Sequence, residues 1–125
     1  MNYVTLGKTG LKASVLSFGG IPIQRADAAN TMAVVDKLEE YGINYIDTAR
    51  GYTVSEEYLG AALEGRRDKF ILATKSMSRD KASMANDVET SLKNLRTNHI
   101  DLYQLHNLPE KDIDTVFGPD GAYEA

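Results

Sequence analysis

Four side chains with the chemistry of an acid/base site stand out in this sequence: Asp47, Tyr52, Lys75 and His106. Asp47, Lys75 and His106 each follow directly on an apolar run, and successive runs lie about one βα unit, roughly 30 residues, apart. Chemistry in parallel α/β folds gathers at the carboxyl ends of strands, because unpaired strand ends and loops converge there. We therefore expect these residues to meet in space although they are distant in the chain.

The composition limits the chain to one domain at most: it has 125 residues, of which 42% are hydrophobic and 26% are charged. A formal net charge of −4 disfavours nucleic acid and acidic membranes as partners. The absence of cysteine excludes disulfides and thiolate metal sites, and it fits a reducing, cytoplasmic location. With only two histidines we expect no metal site, and we predict that the pairs Glu39–Glu40 and Glu56–Glu57 lie on solvated helix faces.

The longest uncharged stretch, Ala13–Gln24, is too short and too often interrupted for a membrane span. It also lacks a clear cleavage site for a signal peptide. We predict a buried first strand there instead.

The pattern of apolar and turn residues predicts a β-hairpin followed by about four strand–helix units. The hairpin strands are Val4–Leu6 and Leu11–Ala13, joined by a glycine-flanked turn at Gly7–Gly10. The four predicted strands are Ser14–Phe18, Ile43–Asp47, Phe70–Lys75 and Ile100–His106. The predicted helices are Ala28–Tyr41, a helix from Ser55 that Gly65 ends, and Ser83–Thr97.

Each predicted helix has an apolar face and recognisable end signals. Gly42 is predicted to end the first helix, and Ser55 is predicted to cap the second. The apolar faces comprise Met32, Val35, Leu38 and Tyr41 in the first helix, Tyr58, Leu59, Ala62 and Leu63 in the second, and Val88, Leu92 and Leu95 in the third.

Alternating strands and helices imply a parallel sheet covered by helices, which allows both a flavodoxin-like sheet and a (β/α)8 barrel. Alternation along each predicted strand places Asp47, Lys75 and His106 at the tips of rows that share one face. In a barrel those tips point at a common axis, whereas an open sheet would bury the charges under helices. The barrel therefore explains the charges better.

A complete (β/α)8 barrel needs about 250 residues, and four units supply only half of one. The turn signal Gly118–Gly121 is followed by Ala122–Ala125, which resembles the opening of a helix. We expect residues 1–125 to be a single partial domain, an N-terminal half-barrel truncated after Ala125, with the missing half downstream.

At this point the motifs resemble those of the aldo-keto reductase family. Residues Ile46–Tyr52 match the pattern D-T-A-x-x-Y, and Ser55–Gly60 contain the downstream E-x-x-L-G. Leu72–Lys75 and Asp101–His106 resemble the family's third-strand lysine and fourth-strand histidine segments, in the right order. The resemblance covers essentially the whole chain and corresponds to the N-terminal half of the family's barrel.

The resemblance implies reduction of an aldehyde or ketone to an alcohol by hydride transfer from NADPH or NADH. Tyr52 would protonate the carbonyl oxygen, assisted by the Lys75 ammonium that Asp47 pairs with. His106 would donate a ring N–H to the same oxygen, although the sequence leaves open that His106 donates the proton itself. Of the cofactor contacts, only those on the nicotinamide side, at Gly20, Ile21 and Asp47, can be carried over to this chain.

Two other readings remain open at the level of sequence. The chain could be a catalytically inactive half-barrel that acts through self-association, or through a protein partner, along its exposed sheet edges. It could also belong to another barrel enzyme, such as a lyase that uses Lys75 as a Schiff-base nucleophile.

Overall fold

A computed structural model describes residues 1–125 and contains two separate sheets. An antiparallel hairpin, β1 (Tyr3–Thr5) and β2 (Lys12–Ser14), precedes a four-stranded parallel sheet. The strands of that sheet lie in chain order as β3 (Phe18–Gly19), β4 (Tyr45–Asp47), β5 (Ile71–Ser76) and β6 (Leu102–Leu105). The α-helices are α1 (Ala28–Glu40), α2 (Ser55–Ala62), α3 (Lys81–Asn94) and α4 (Ile113–Phe117). Four 3₁₀ turns complete the structure, at Ile21–Arg25, Arg67–Lys69, Glu110–Asp112 and Ala122–Glu124.

The hairpin, the parallel sheet and the three long helices confirm the predicted order of elements. Gly42 ends α1 with a φ of +70°, the left-handed conformation that glycine adopts most easily. The short helix α4 was not predicted, because its apolar residues are too few to form a periodic pattern.

The predicted first strand, Ser14–Phe18, is wrong in its position. Ser14 belongs to β2, and the backbone N–H of Val15 donates to the carbonyl of Asn2, which extends the hairpin. The parallel sheet begins only at Phe18, which pairs with Ile46. The apolar run 14–18 resembles a single strand when it is taken alone. Its first residues, however, are hydrogen-bonded in the hairpin rather than in the parallel sheet.

The main core lies between the outer face of the parallel sheet and helices α1 and α2, with one residue from the end of α3. Its nine buried residues are Val35, Leu38, Ile46, Leu59, Ala62, Leu63, Phe70, Leu72 and Leu95. Because side chains alternate along a strand, burial of Ile46 and Leu72 on this face directs their neighbours to the opposite, concave face. Asp47 and Ala73 occupy paired positions on that concave face.

The apolar face predicted for α1 is partly wrong. Val35 and Leu38 are buried, but Met32 is 40% exposed and Tyr41 is 62% exposed. Successive steps of three residues rotate about 60° backwards around a helix of 3.6 residues per turn. The ends of a four-residue row with this spacing therefore leave the buried face, and Thr31 is buried instead.

No helix in the structure combines the length and apolar character needed to cross a membrane.

Candidate active site

The structure brings Asp47, Tyr52, Lys75 and His106 into one cluster at the carboxyl ends of β4, β5 and β6. Lys75 Nζ donates a hydrogen bond to Asp47 Oδ2 over 2.5 Å. The same ammonium lies over the face of the Tyr52 ring, 5.0 Å from its centre. The Tyr52 and His106 rings meet edge to face with their centroids 5.7 Å apart. The four residues therefore meet as expected, while their catalytic roles stay predictions.

The Asp47–Lys75 pair is held by further hydrogen bonds on both sides. Lys75 Nζ also donates to the carbonyl of Thr48 over 2.6 Å. The second carboxylate oxygen of Asp47 accepts a hydrogen bond from Gln104 Nε2 over 3.0 Å. Gln104 pairs in register with Lys75 on the neighbouring strand, which places it beside the ion pair. Alternation along the predicted strand places Gln104 on the same face as His106. It does not predict that Gln104 bonds to Asp47.

The loop that carries Tyr52 continues the sheet beyond β4. The backbone N–H of Thr48 donates to Ala73, and that of Arg50 donates to Lys75 over 2.9 Å. Tyr52 then folds back, with its N–H bonded to the carbonyl of Ala49. Thr53 follows with a φ of +43°, a conformation that is uncommon for residues with a side chain. The loop is therefore aligned by backbone bonds to the strand that bears Lys75.

His106 is aligned through its main chain. Its N–H donates to Ser76 over 2.8 Å, and its carbonyl accepts a hydrogen bond from Arg79 Nη2 over 2.8 Å. Ring atom Nδ1 is buried and makes no hydrogen bond within the protein. Burial, with the nearby positive charges of Lys75 and Arg79, lowers the pKa of His106 below its ordinary value, although Asp47 opposes the shift. The neutral imidazole is therefore favoured at neutral pH.

The residues predicted to contact the cofactor differ in their exposure to solvent. Gly20 is buried, its N–H donates to Asp47 O over 2.6 Å, and its carbonyl accepts a hydrogen bond from Ser55 Oγ over 2.9 Å. Both polar backbone groups of Gly20 thus bond within the protein. Ile21, by contrast, is 55% exposed. A Cβ added at Gly19 would have no atom within 4 Å, so there is open space above the end of β3.

Ser55 does not cap α2 as predicted. It is buried as the first helical residue, and its hydroxyl contacts Gly20 and Thr48. The N-cap position belongs to Val54, which makes no side-chain capping bond. The serine correctly indicated the start of the helix, but its hydroxyl contacts residues that directly follow β3 and β4.

The prediction that Glu56 lies on a solvated helix face is wrong. Glu56 is only 1% exposed, and its carboxylate accepts hydrogen bonds from Thr74, Ser91 and Arg50. No local feature of the sequence distinguishes it from its exposed neighbour Glu57. Only the packing of α2 against β5 and α3 separates the two glutamates.

Comparison with known proteins assigns the chain to a family. Residues 15–117 match the model of the aldo/keto reductase family. Aldo-keto reductase YhdN of Bacillus subtilis is 34% identical to the chain over 125 aligned positions, covering 85% of this chain and 38% of YhdN. The chain therefore belongs to the aldo/keto reductase family.

Solved structures identify the fold. A protein from Pseudomonas aeruginosa assigned as an aldo-keto reductase superposes with a TM-score of 0.87 at 30% identity, over 98% of this chain and 52% of its own length. An aldo-keto reductase from Klebsiella pneumoniae in complex with NADPH superposes with a TM-score of 0.77 at 26% identity, over 92% of this chain and 44% of its own. The fold is the N-terminal half of a (β/α)8 barrel, as predicted from the sequence. The chain thus spans about half the length of these relatives.

Proposed function

We propose that this chain is one half of an NAD(P)H-dependent reductase that converts an aldehyde or ketone to an alcohol. Tyr52 is the general acid in this proposal, and residues 1–125 are a partial domain whose site is completed by the other half of the barrel. One observation carries the proposal: Asp47, Tyr52, Lys75 and His106 form a single cluster on the concave face of the sheet.

Reduction of a carbonyl needs a proton donor for the oxygen as it becomes an alkoxide. The phenol of Tyr52 can give that proton, and the Lys75 ammonium over its ring stabilises negative charge left on it. Asp47 and the carbonyl of Thr48 hold that ammonium in place. The lowered pKa of His106 favours a neutral ring, which is suited to hold the carbonyl oxygen through an N–H rather than to act as the acid.

The residues at the end of β3 fit a nicotinamide ring. The open space at Gly19 leaves room for a flat ring, and the exposed side chain of Ile21 offers it an apolar contact. Bound NADPH or NADH would supply the hydride. The relative from Klebsiella pneumoniae, which binds NADPH, favours the phosphorylated cofactor. Gly20 would act indirectly, because its bonds to Asp47 and Ser55 hold Ile21 and Asp47 in their positions.

A Schiff-base lyase is less well supported. Such an enzyme needs a lysine with a free amine to attack a carbonyl carbon. Lys75 Nζ instead donates to two oxygens, those of Asp47 and Thr48. This arrangement suits a fixed positive charge.

The test is the substitution Tyr52→Phe in the intact protein with its complete barrel. We expect carbonyl reduction to fall by about 100-fold or more, because general acid catalysis typically contributes 10²–10⁴-fold. Binding of NADPH, followed by quenching of protein fluorescence, should change little. The readout of turnover is the loss of NADPH absorbance with a panel of aldehydes and ketones.

Tyr41→Phe is the matched control, because Tyr41 lies at the end of α1 and is 62% exposed. It should retain the wild-type rate. Retained turnover in Tyr52→Phe would contradict the assignment of Tyr52 as general acid.

A further inference from the structure

A buried carboxylate lies behind the candidate site and has no part in the chemistry proposed above. Glu56 Oε1 accepts hydrogen bonds from Thr74 Oγ1 over 2.8 Å and from Ser91 Oγ over 2.7 Å. Glu56 Oε2 accepts from Arg50 Nη1 over 3.0 Å and from Asn94 Nδ2 over 3.3 Å. Removing a carboxylate from water is unfavourable unless it is paired and fully hydrogen-bonded, and Glu56 meets both conditions.

Arg50 connects this carboxylate to the loop that carries Tyr52. It lies two residues before Tyr52, and its backbone N–H donates to the carbonyl of Lys75. Its side chain is 26% exposed and points back to Glu56 at the start of α2. One residue therefore bonds through its main chain to the strand of Lys75 and through its guanidinium to a buried anion.

Asp87 on α3 provides a second anion for Arg50. Asp87 Oδ1 lies 3.6 Å from Arg50 Nε. Asp87 Oδ2 accepts hydrogen bonds from Ser76, the residue after Lys75, and from Ser78 over 2.7 Å. Burial acts to raise the pKa of Asp87, but these hydroxyls and the Arg50 charge outweigh it, so the pKa lies below its ordinary value. Asp87 therefore stays charged at neutral pH.

These contacts link α2, α3 and β5 to the loop that carries Tyr52, in addition to its main-chain bonds and the contacts of Thr48 with Lys75 and Ser55. The planar guanidinium of Arg50 donates a hydrogen bond to Glu56 through Nη1, while its Nε makes an ion pair with Asp87 without a hydrogen bond. The single ammonium of a lysine cannot reproduce this two-sided arrangement. Because Tyr52 reaches Lys75 and His106 only through this loop, the position of its phenol depends on where Arg50 is held. A misplacement of about 1 Å in an active site can cost about 100-fold in rate.

We propose that Arg50, held by Glu56 and Asp87, is a positioning residue that aligns Tyr52 for proton transfer. This inference rests on the proposed function, in which Tyr52 is the general acid. Arg50 touches neither the carbonyl nor the cofactor in this role, and acts through the loop alone.

The test compares Arg50→Lys and Glu56→Gln with wild type in the intact protein. We expect kcat to fall about 10- to 100-fold, with the NADPH dissociation constant unchanged. We also expect a larger solvent deuterium isotope effect on kcat, because misaligned proton transfer becomes rate-limiting. A role in stability alone would lower the amount of folded enzyme and leave that isotope effect unchanged.

Matched controls are Arg96→Lys, in an exposed ion pair with Glu64, and Glu57→Gln, on the exposed side of α2. Both should behave as wild type. If Glu56→Gln does not fold, Asp87→Asn replaces it, because Asp87 is more exposed and its loss removes only one of the two anions that hold Arg50. A larger isotope effect in Asp87→Asn supports the proposal.

The outcomes separate this inference from the proposed function. Turnover retained by Tyr52→Phe overturns the proposed function itself. If Tyr52→Phe is inactive while the Arg50 and Asp87 variants keep the wild-type kcat and isotope effect, the positioning role is overturned and the general acid stands.

Discussion

The Lys75 ammonium lies among a carboxylate, a backbone carbonyl and an aromatic ring, so three different groups hold one positive charge in place. That charge also acts on the imidazole of His106. Burial is the larger cause of the lowered pKa of His106, and the Lys75 charge adds to it. The cation that lies over the Tyr52 ring therefore also favours a neutral ring at His106.

The lowered pKa of His106 predicts a pH-dependent stability. The unfolded histidine has a pKa of about 6.5, so as the pH falls below that value the unfolded state takes up a proton before the folded state does. The free energy of unfolding should therefore fall with pH from about 6.5 down to the lower pKa of the folded state. Urea denaturation on both sides of about pH 6.5 measures this.

The variant His106→Gln is compared with the wild type. It should lose the part of the pH dependence of the unfolding free energy that comes from His106. His99→Gln is the control, because His99 is exposed ahead of β6. An identical pH dependence of stability in wild type and His106→Gln would contradict the assigned cause.

At the scale of the elements, α2 approaches the C-terminal end of α3 so closely that glycine is required at Gly60. A Cβ added there would overlap the carbonyl of Asn94 and lie 2.8 Å from Leu95 Cα. These neighbours are main-chain atoms, which cannot turn aside as a side chain can. The glycine of the motif E-x-x-L-G is therefore explained by helix packing.

Gly60→Ala should destabilise the protein by about 1–3 kcal/mol, the usual cost of overpacking. The substitution improves helix propensity by up to about 1 kcal/mol, so a net loss isolates the steric clash. Gly51→Ala is the control, because a Cβ there meets no atom within 4 Å. The measurement is the urea midpoint of each variant, and an unchanged midpoint for Gly60→Ala would contradict the close packing.

At the scale of the whole molecule, the four-stranded sheet has two unpaired edges, β3 and β6. The apolar residues Val15 and Leu16, just before β3, are 54% and 60% exposed. The concave face with Asp47 and Lys75 has no opposite wall within these residues. Open parallel edges with exposed apolar neighbours favour pairing with another chain or another half-barrel.

We therefore expect the isolated 125-residue chain to self-associate and to show little catalysis. Sedimentation velocity over a range of concentrations measures the association, and loss of NADPH absorbance measures the activity. A monomer at all concentrations with robust turnover would contradict both expectations.

The order of elements, the half-barrel and the four clustered residues were predicted from the sequence alone. The physical reason is that these features are local: a strand ends at a charged residue, a helix stops at Gly42, and the βα spacing brings strand ends to one edge. Tyr52 lies in a loop, but it belongs to the same short motif as Asp47. Each of these signals can be recognised from neighbours along the chain.

The tertiary structure alone decided which polar groups are buried and with which partners. Glu56 and Glu57 are adjacent and chemically identical, yet one is surrounded by donors from β5 and α3 while the other is exposed. The contact of Arg50 with Asp87, the contact of Ser55 with Gly20 and the exposure of Met32 likewise depend on how distant segments pack. Burial and pairing are properties of what lies across the interface between elements, and a pattern along one element does not contain that information.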